Sequence, residues 1–569
     1  NLYGDVFKLP EKWADNATLS ERIDAETASA MLNECSKIAS EVIAPISRNG
    51  DEEGCQFNNG VVTTPKGYKE AYQTYSEGGW GGLTGNPEYG ALGMPKALAV
   101  HCEEMFNASD MSFSLYPMLT AGACLSLEQH ASQALKDRYL AKMYSGEWAG
   151  SMCLTEPHAG SDLGIIRTKA EANDNDSFSI SGTKIFITGG EQDLSENIIH
   201  LVLAKLPDAP VGAKGISLFL VPKILNNGQP NTLSCGSIEH KMGIKASASC
   251  VMNFDAAEGY LVGEPHKGLQ AMFTMMNYER VGVGIQGIAA AERSYQCAAS
   301  YARDRLQGRA AKSTIAPNQA ESLLVHPDVR RMLLTMRAFT EAGRCLTTYV
   351  ADQLDITKYG CENDKPQANN NVALLTPLVK AFCTDRGLEA CVLGQQVLGG
   401  HGYIREWGQE QLVRDVRIAQ IYEGTNGIQA MDLLARKVMP SKGENVSALN
   451  QEILAFLQEH KSQLAANISV QLSAAVKSLQ LSTDFIVQAA DSDVTGTSAV
   501  YYQDLMGYVI YGYMWAKMAV AAQSENKLHR NKRIVADFYF SHLITRVNWL
   551  EQTLMADLQS VMHMLDEDF

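Results

Sequence analysis

The chain has 569 residues, of which 46% are apolar and 20% are charged. This length and apolar content predict several domains with large buried cores, and they exclude a chain that is disordered throughout. The formal net charge of −16 argues against a nucleic-acid-binding protein, because such proteins carry a basic surface.

The compartment is predicted from cysteine usage and from apolar runs. The twelve cysteines form no C-x-x-C pair and no regular framework, which in a chain of this size indicates buried thiols in a reducing compartment. Residues 1–10 mix charged and polar side chains, so no signal peptide is expected. The apolar run Leu505–Ala516 is too short to span a bilayer. We expect a cytoplasmic protein, and contact with a membrane surface is the less favoured alternative.

Residues 1–150 are predicted to form a mostly helical domain. Apolar residues at three-and-four spacing mark helices at Glu26–Ile43 and Lys96–Glu104. A glycine-rich segment from Gly78 to Gly93 lies between them. No Gly-Lys-Ser/Thr follows these glycines, which excludes a P-loop, so we predict a tight connection packed near a ligand.

Residues 151–264 change to short, β-branched and partly alternating segments separated by Gly, Asn, Asp or Pro. This pattern predicts a small β-barrel or sandwich. The predicted strands are Ser177–Ser181, Lys184–Thr188, Ile198–Ala204, Ile216–Val221 and Cys250–Phe254.

Residues 265–440 return to helical periodicity, most clearly in Gln286–Arg309 and Pro327–Leu354. Gly282, Gly284 and Gly287 match a G-x-G-x-x-G pattern, but the residues before them predict a helix where a dinucleotide-binding motif needs a strand. The order helices, sheet, helices predicts an α+β fold rather than the alternating βαβ units of a Rossmann domain.

Residues 441–569 predict an appended helical bundle. Its predicted helices are Val446–His460, Ala465–Ala490, Ser498–Gln523 and Asn531–Leu565, with breaks at Asp491–Thr497 and Glu525–Arg533. The aromatic stretch Tyr501–Trp515 is predicted to line the inside of this bundle. A surface that faces a membrane or another subunit is the alternative.

Two segments carry residues suited to chemistry. In Cys153–Asp162 the hydroxyls of Thr155 and Ser161 flank a Pro/Gly loop and suit the polar edge of a planar ligand, although an ordinary turn is the alternative. In Ile421–Gly427, Gly424 lets a flat ligand approach the backbone beside Glu423. A carboxylate in a dry pocket can act as a base near neutral pH, so we predict proton abstraction from a carbon next to a carbonyl.

Six motifs resemble those of acyl-CoA dehydrogenases, in the same order and within about residues 150–440. The family patterns are T-E-P-x-A-G-S-D, W-I-T, D-x-x-R, E-R, Q-x-x-G-G-x-G-[FY] and Y-E-G-T. The similar segments are Thr155–Asp162, Phe186–Thr188, Asn277–Arg280, Asp304–Arg305, Gln396–Tyr403 and Tyr422–Thr425. The resemblance implies a helical domain, a β-barrel and a helical bundle around one FAD.

The resemblance also implies which residues form the site. Glu423 would be the catalytic base. The implied FAD contacts are Met152, Leu154, Thr155, Gly160, Ser161, Phe186, Ile187, Thr188, Arg305, Gln307, Gln396, Gly399, Gly400, Thr425 and Asn426. The implied substrate contacts are Ser161, Asn277, Arg280 and Gly424. Five of the FAD contacts, from Arg305 to Gly400, would meet the FAD of a neighbouring subunit, which makes an oligomer part of the site.

The implied reaction is the α,β-dehydrogenation of an acyl-CoA thioester. Glu423 would remove the α-proton while a hydride leaves the β-carbon for flavin N5, giving a trans-2-enoyl-CoA. The backbone N–H of Glu423 and a ribityl hydroxyl would stabilise the enolate. Electrons would then pass to an electron-transfer flavoprotein.

The chain departs from the family pattern at several positions. Glu279 lies on the helix that carries the base in some relatives, but with Glu423 present we expect a solvated or ion-paired residue there. Asn277 replaces the usual Asp, Phe186 replaces the usual Trp, and Gly308 stands where many relatives have Phe. His401 is predicted to be a hydrogen-bonded loop residue rather than a metal ligand, and no metal is expected.

An ordinary member of the family would end near Lys437, and the present chain resembles a longer bacterial subgroup with a C-terminal helical extension. The resemblance is carried by residues 186–197. That subgroup includes 3-(methylthio)propanoyl-CoA dehydrogenases and enzymes for plain acyl chains. A medium-chain or long-chain acyl-CoA is therefore an alternative substrate. We expect a homodimer in which the extension covers the surface where smaller relatives pair their dimers. An acyl-CoA oxidase and a non-catalytic scaffold on the same fold remain as alternatives.

Overall fold

The computed structural model describes residues 2–556 and 558–569. It divides into two compact units. The barrel unit comprises Glu26–Gly282, and the bundle unit comprises the N-terminal residues up to Ala25 together with Val283–Phe569. Helices precede and follow one large sheet, which confirms the predicted α+β class.

Seven α-helices precede the large sheet in the described chain. They are α1 (Leu9–Asp15), α2 (Ala25–Lys37), α3 (Ala44–Glu53), α4 (Tyr68–Glu77), α5 (Lys96–Ser109), α6 (Met111–His130) and α7 (Gln133–Tyr144). Helix α6 is buried along nearly its whole length. It begins at Asp110, whose carboxylate accepts hydrogen bonds from the amides of Ser112 and Phe113 and so satisfies donors that a helix start leaves open.

Nine β-strands form a hairpin and a seven-stranded sheet in the described residues. The hairpin strands are β1 (Gln56–Asn58) and β2 (Val61–Thr63). The sheet strands are β3 (Trp148–Cys153), β4 (Lys169–Ala172), β5 (Phe178–Thr188), β6 (Asn197–Lys205), β7 (Ile216–Pro222), β8 (Leu233–Ile238) and β9 (Ser249–Val262).

The sheet closes into a ring, so the predicted barrel is confirmed. Strand β6 pairs with β7, β7 with β9, β9 with β5 and β5 with β4. The pair Lys169 and Lys205 then joins β4 back to β6. The two strands predicted at Ser177–Ser181 and Lys184–Thr188 are one strand, because two register shifts bend β5 without ending it. Strands β3, β4 and β8 were not predicted, since small and charged residues weaken their pattern.

Five α-helices follow the sheet and precede the C-terminal extension. They are α8 (Gly268–Asp304), α9 (Pro327–Tyr359), α10 (Lys365–Leu398), α11 (Gln409–Arg417) and α12 (Asn426–Met431). The G-x-G-x-x-G glycines lie inside α8. A Cβ at Gly284 would lie 2.5 Å from Val379, and one at Gly287 would lie 2.5 Å from the Cys383 carbonyl. These glycines therefore allow α8 and α10 to pack closely and do not form a nucleotide loop.

The C-terminal extension is helical, as predicted. Its α-helices are α13 (Glu444–Glu459), α14 (Ala466–Ala489), α15 (Ser492–Ala521), α16 (Lys527–Phe538) and α17 (Arg546–Leu554). The break predicted at Asp491–Thr497 is shorter, because the Asp491 carboxylate caps α15 at once. The single helix predicted at Asn531–Leu565 was wrong. It divides into α16, α17 and shorter turns.

The aromatic stretch of the extension lies inside the bundle, which confirms that prediction. Tyr502, Tyr511, Tyr513 and Trp515 on α15 are at most 1% exposed. None of the described helices is long and apolar enough to cross a membrane.

Candidate active site

The turn that carries Glu423 has an unusual backbone. Glu423 has φ 58° and Gly424 has φ 79°, so two consecutive residues are left-handed. Glycine adopts the left-handed backbone conformation readily, but the same conformation costs a glutamate about 1–3 kcal/mol. A glutamate therefore keeps this conformation only where the surrounding structure enforces it. Thr425 then caps the start of α12, and its hydroxyl accepts a 3.3 Å hydrogen bond from the Ile428 amide.

Buried donors hold both carbonyls of this turn. Gln429 is fully buried, and its Nε2 donates to the Glu423 carbonyl at 2.8 Å. Lys380 on α10 is also fully buried, and its Nζ donates to the Gly424 carbonyl at 2.7 Å. The turn is thus positioned by side chains from two helices rather than by its own residues.

The remaining contacts of the turn also go to neighbouring helices of the bundle unit. Asn426 accepts a 2.8 Å hydrogen bond from Lys380 at its Oδ1 and donates from Nδ2 to Asp385 at 2.7 Å. The Tyr422 hydroxyl donates to Gln286, a buried residue of α8. Asn426 stays a predicted FAD contact, and the observed partners of its amide lie on α10.

The predicted flavin loop follows strand β3 and is anchored at its beginning. Lys184 of β5 is fully buried, and its Nζ donates to the Leu154 carbonyl at 3.0 Å and to Glu156 Oε1 at 2.9 Å. Glu156 also accepts hydrogen bonds from Thr168 and from the Arg167 amide. Burial opposes ionisation of Glu156, but the Lys184 ammonium and these donors lower its pKa to about 2.

The outer part of this loop presents groups that fit a flavin. Gly160 and Ser161 are exposed, Thr155 and Thr188 are half-buried, and a Cβ at Gly160 would meet only open space. Phe186 follows the register shift after Lys184, has φ 59° and leaves 60% of its surface exposed. These partly exposed hydroxyls and the exposed Phe186 ring suit the polar edge and flat face of an isoalloxazine ring.

The other two predicted flavin-loop contacts lie on or beside the strands. Met152 is half-buried in β3, and Ile187 is 2% exposed in β5.

The predicted substrate helix is the first half of α8. Arg280 is 5% exposed, and its Nη1 donates a long 3.4 Å hydrogen bond to Asn277. Glu279 is fully buried, and a Cβ on Gly122 of α6 would lie 2.4 Å from its Oε1. The expectation of a solvated Glu279 was therefore wrong, because this face of α8 packs on α6. The ion-paired alternative stays a prediction.

A cavity of ≈ 50 Å³ lies within the barrel unit beside this helix. Tyr75, Trp80, Phe106 and Phe113 form its aromatic wall, and each is less than 9% exposed. Phe106 meets Tyr75 and Trp80 edge to face, with ring centroids 5.2 and 5.6 Å apart. Tyr278 of α8 also lines the cavity.

The residues predicted to meet a neighbouring FAD are all at the surface of the bundle unit. Arg305 and Gln307 follow α8, and Gln396, Gly399 and Gly400 end α10; all five are exposed. A Cβ on either glycine would meet open space, so a ligand can reach the backbone there.

His401 lies next to these glycines. Its Nδ1 forms a 2.8 Å hydrogen bond with Tyr301, and its ring stacks on Trp407 at 4.4 Å. It is the hydrogen-bonded loop residue that was predicted. Residues 2–556 and 558–569 contain no group of three or more His, Cys, Asp or Glu that could hold a metal.

Family models match almost the whole chain. They are the N-terminal, middle and C-terminal domains of acyl-CoA dehydrogenases, at residues 25–147, 151–257 and 266–439. An acetyl-CoA dehydrogenase C-terminal-like domain matches residues 449–565. The chain belongs to the acyl-CoA dehydrogenase family. It is therefore an FAD-dependent oxidoreductase, and the predicted cofactor and enzyme class are confirmed.

Two relatives within the family cover most of the chain. A 3-methylmercaptopropionyl-CoA dehydrogenase of Ruegeria pomeroyi is 45% identical over 89% of this chain and 87% of its own length. A broad-specificity linear acyl-CoA dehydrogenase of Mycobacterium tuberculosis is 31% identical over 99% of this chain and 98% of its own.

A solved structure shares the fold. An acyl-CoA dehydrogenase of Bacillus anthracis in complex with FAD superposes with a TM-score of 0.76 at 20% identity, covering 95% of this chain and 91% of that one.

The motifs of the acyl-CoA dehydrogenase family did not reveal every residue that positions the site. Glu156 lay inside a recognised motif without an assigned role, and Lys184, Lys380 and Gln429 were missed. The available signal was a lysine within an apolar strand or helix. Such a lysine is unusual in a core unless its ammonium finds acceptors.

Proposed function

We propose that this acyl-CoA dehydrogenase oxidises a short acyl-CoA thioester at its α,β-bond, and that 3-(methylthio)propanoyl-CoA is the preferred substrate. The observation that carries the proposal is the small aromatic cavity beside the substrate helix. The relative from Ruegeria pomeroyi, which is named for the same acyl group and is 45% identical, supports it.

The size of the cavity limits the acyl tail. The cavity of ≈ 50 Å³ is small, since an apolar cavity of about 150 Å³ is needed to bind one benzene molecule. A 3-(methylthio)propanoyl tail has four heavy atoms beyond its carbonyl, whereas a palmitoyl tail has many more. The buried edge-to-face rings form a rigid wall, because moving one would expose apolar surface and break its contacts.

The character of the cavity also suits a thioether. Cys102 and Met118 line it together with the aromatic rings. Sulfur near the edge of an aromatic ring makes favourable contacts worth about 0.3–1.5 kcal/mol. A methylthio group placed among these rings would gain the same contacts, which a methylene would not match.

Glu423 is the proposed base. Its carboxylate would take the α-proton of the thioester, and its backbone N–H would donate to the thioester carbonyl oxygen as negative charge develops there. Arg280 would hold the CoA portion, since a guanidinium suits phosphate and carbonyl acceptors. Bound FAD would supply the hydride acceptor. Thr155, Thr188 and Ser161 would orient the ring, and the other predicted contacts keep the roles given above.

We further propose an electron-transfer flavoprotein as the acceptor and a homodimer in which exposed residues such as Arg305 and Gly400 meet a neighbour's FAD. A cytoplasmic location is proposed because all twelve cysteines are free thiols. The proposed domain boundaries are residues 1–150, 151–264, 265–440 and 441–569. Light scattering tests the dimer, and a tetramer would contradict it.

The substrate is tested with a panel of thioesters. Bleaching of the flavin absorbance and kcat/KM are measured with 3-(methylthio)propanoyl-, butanoyl-, octanoyl- and palmitoyl-CoA. We expect the first to be preferred, butanoyl-CoA to follow, and palmitoyl-CoA to be poor. A preference for octanoyl- or palmitoyl-CoA would overturn the proposal. Peroxide release comparable to dye reduction would favour an oxidase.

The wall of the cavity is tested by enlarging it. Phe106→Ala should raise kcat/KM for octanoyl-CoA relative to butanoyl-CoA, because it removes the ring that contacts both Tyr75 and Trp80. Phe339→Ala, a buried ring of the bundle unit, is the control and should leave this ratio unchanged. An unchanged ratio in both variants would show that the acyl tail lies elsewhere.

The base is tested by Glu423→Gln, which keeps the size and hydrogen bonding of the side chain but cannot accept the proton. We expect this variant to retain FAD and thioester binding and to lose most turnover. Glu279→Gln is the comparison variant, because Glu279 is the alternative candidate for the base. If Glu423→Gln turned over at a near-native rate while Glu279→Gln did not, the base would be Glu279.

A further inference from the structure

Lys380 is a charged side chain in an apolar helix, and the reaction as described gives it no part. It lies in the middle of α10 and is fully buried. Taking an ammonium out of water costs several kcal/mol unless hydrogen bonds compensate. Its Nζ is 2.7 Å from the Gly424 carbonyl and 2.8 Å from Asn426 Oδ1, so two of its acceptors lie within three residues after Glu423 in the chain.

These contacts hold the two peptide groups that follow the Cα of Glu423. The Gly424 carbonyl belongs to the peptide plane between Gly424 and Thr425, and the Glu423 carbonyl belongs to the preceding plane. Lys380 holds the first plane and Gln429 holds the second. The two planes flank the Cα of Gly424, and the plane held by Gln429 directly follows the Cα of Glu423, so the backbone on the C-terminal side of Glu423 keeps one orientation.

A second contact ties this arrangement to the helix. Asn426 accepts from Lys380 and donates to Asp385, one turn further along α10, and Asp385 also accepts from Gln420 at 2.5 Å. Residues on both sides of Glu423 are therefore held to α10. A helix interior moves less than a loop, which suits a group that must meet a substrate atom within about 0.5 Å.

We propose that Lys380 is a positioning residue that orients the Glu423 turn for proton abstraction. The inference rests on the proposed function in that Glu423 is taken as the base. The ammonium acts through the Gly424 carbonyl and does not touch the substrate. Losing it should impair proton removal while thioester and FAD binding are kept, because a misplacement of about 1 Å can cost about a hundredfold in rate.

The test compares Lys380→Met with Lys365→Met. Methionine keeps the length of the side chain and removes the charge and the donors. Lys365 lies on the same helix, is partly exposed and pairs with Glu362, so its loss controls for removing a charge from α10. Each variant is measured for FAD content, for KM and kcat with the preferred thioester, and for exchange of the α-protons of acetyl-CoA with deuterated water. Acetyl-CoA has no β-carbon, so its exchange reports proton removal without oxidation.

For Lys380→Met we expect kcat and the exchange rate to fall by about a hundredfold, with KM and FAD content changed by less than about threefold. Lys365→Met should match the parent enzyme. Native exchange in Lys380→Met would overturn the proposal, and so would a loss of FAD as large as the loss of exchange. Glu423→Gln keeps the two hypotheses apart. If it exchanges at the native rate, the proposed base is wrong, whereas if it alone loses exchange, only the role of Lys380 is wrong.

Lys380→Gln covers the case in which the methionine variant does not fold. Glutamine supplies a neutral donor that is shorter than lysine, so an intermediate loss of exchange at unchanged FAD content would support the proposal. If neither variant folds, Lys380 serves the stability of the whole unit, and the positioning role is overturned.

Discussion

The predicted flavin loop and the turn that carries Glu423 each contact a buried lysine, but the two lysines have different partners. Lys184 of β5 donates hydrogen bonds to the Leu154 carbonyl and to the Glu156 carboxylate. Lys380 of α10 donates hydrogen bonds to the Gly424 carbonyl and to the side-chain amide oxygen of Asn426. In both places an ammonium holds the main-chain carbonyl of a segment that is predicted to bind a ligand.

The difference lies in what each contact stabilises. Lys184 contributes to a buried ion pair, in which each charge needs the other, so this lysine should matter first for the stability of the barrel unit. Lys380 meets a carbonyl and an amide oxygen beside the left-handed Glu423, so it should matter first for geometry. The same residue type can therefore serve folding in one unit and catalysis in the other.

The largest expected effect is that of Lys184→Met. This change leaves Glu156 buried without its cation, which costs about 3–5 kcal/mol. We expect the free energy of unfolding in urea to fall by that amount, with a loss of bound FAD. Lys169→Met on exposed β4 is the control, since Lys169 is at the surface. Equal stability of the two variants would remove the contrast between the lysines.

Acid should act on the same ion pair. The folded pKa of Glu156 is about 2, below its ordinary value of 4.5, so the unfolded chain binds the proton more readily. The stabilisation is fully present above pH 4.5 and is lost as pH falls from there through 2, amounting to about 3 kcal/mol. Unfolding free energies at pH 6, 4 and 3 measure it. Between pH 6 and pH 3 the free energy of unfolding should fall less in Lys184→Met than in the parent protein. An equal fall in both proteins would mean that other carboxylates cause the acid destabilisation.

A smaller effect is expected where the extension supports α10. Arg546 of α17 donates to Glu389 of α10 at 2.8 Å and to Tyr508 of α15. The Arg546 side chain is 37% exposed, so its charge is partly screened, and Arg546→Met should lower the free energy of unfolding by about 1 kcal/mol. KM should stay unchanged. A fall in α-proton exchange as large as that of Lys380→Met would show that the extension also positions the catalytic turn.

Much of the architecture follows from local pattern. Helical periodicity located α5 and α9 within a few residues. Continuous β-branched and apolar segments located β6 and β7, because both strands are buried along nearly their whole length. The single helix expected near the C-terminus failed because only packing against α14 and α15 decides where such a long apolar pattern breaks.

By itself the sequence determined the family, the cofactor class and the position of Glu423, since each depends on residues that are neighbours in the chain. Only the tertiary structure decided that Glu279 is buried, that the cavity is small, and that Lys380 meets Gly424 from 44 residues away. The physical reason is that a lysine looks the same in a sequence whether its ammonium faces water or a buried carbonyl. That choice depends on which distant backbone atoms the fold brings within hydrogen-bonding distance.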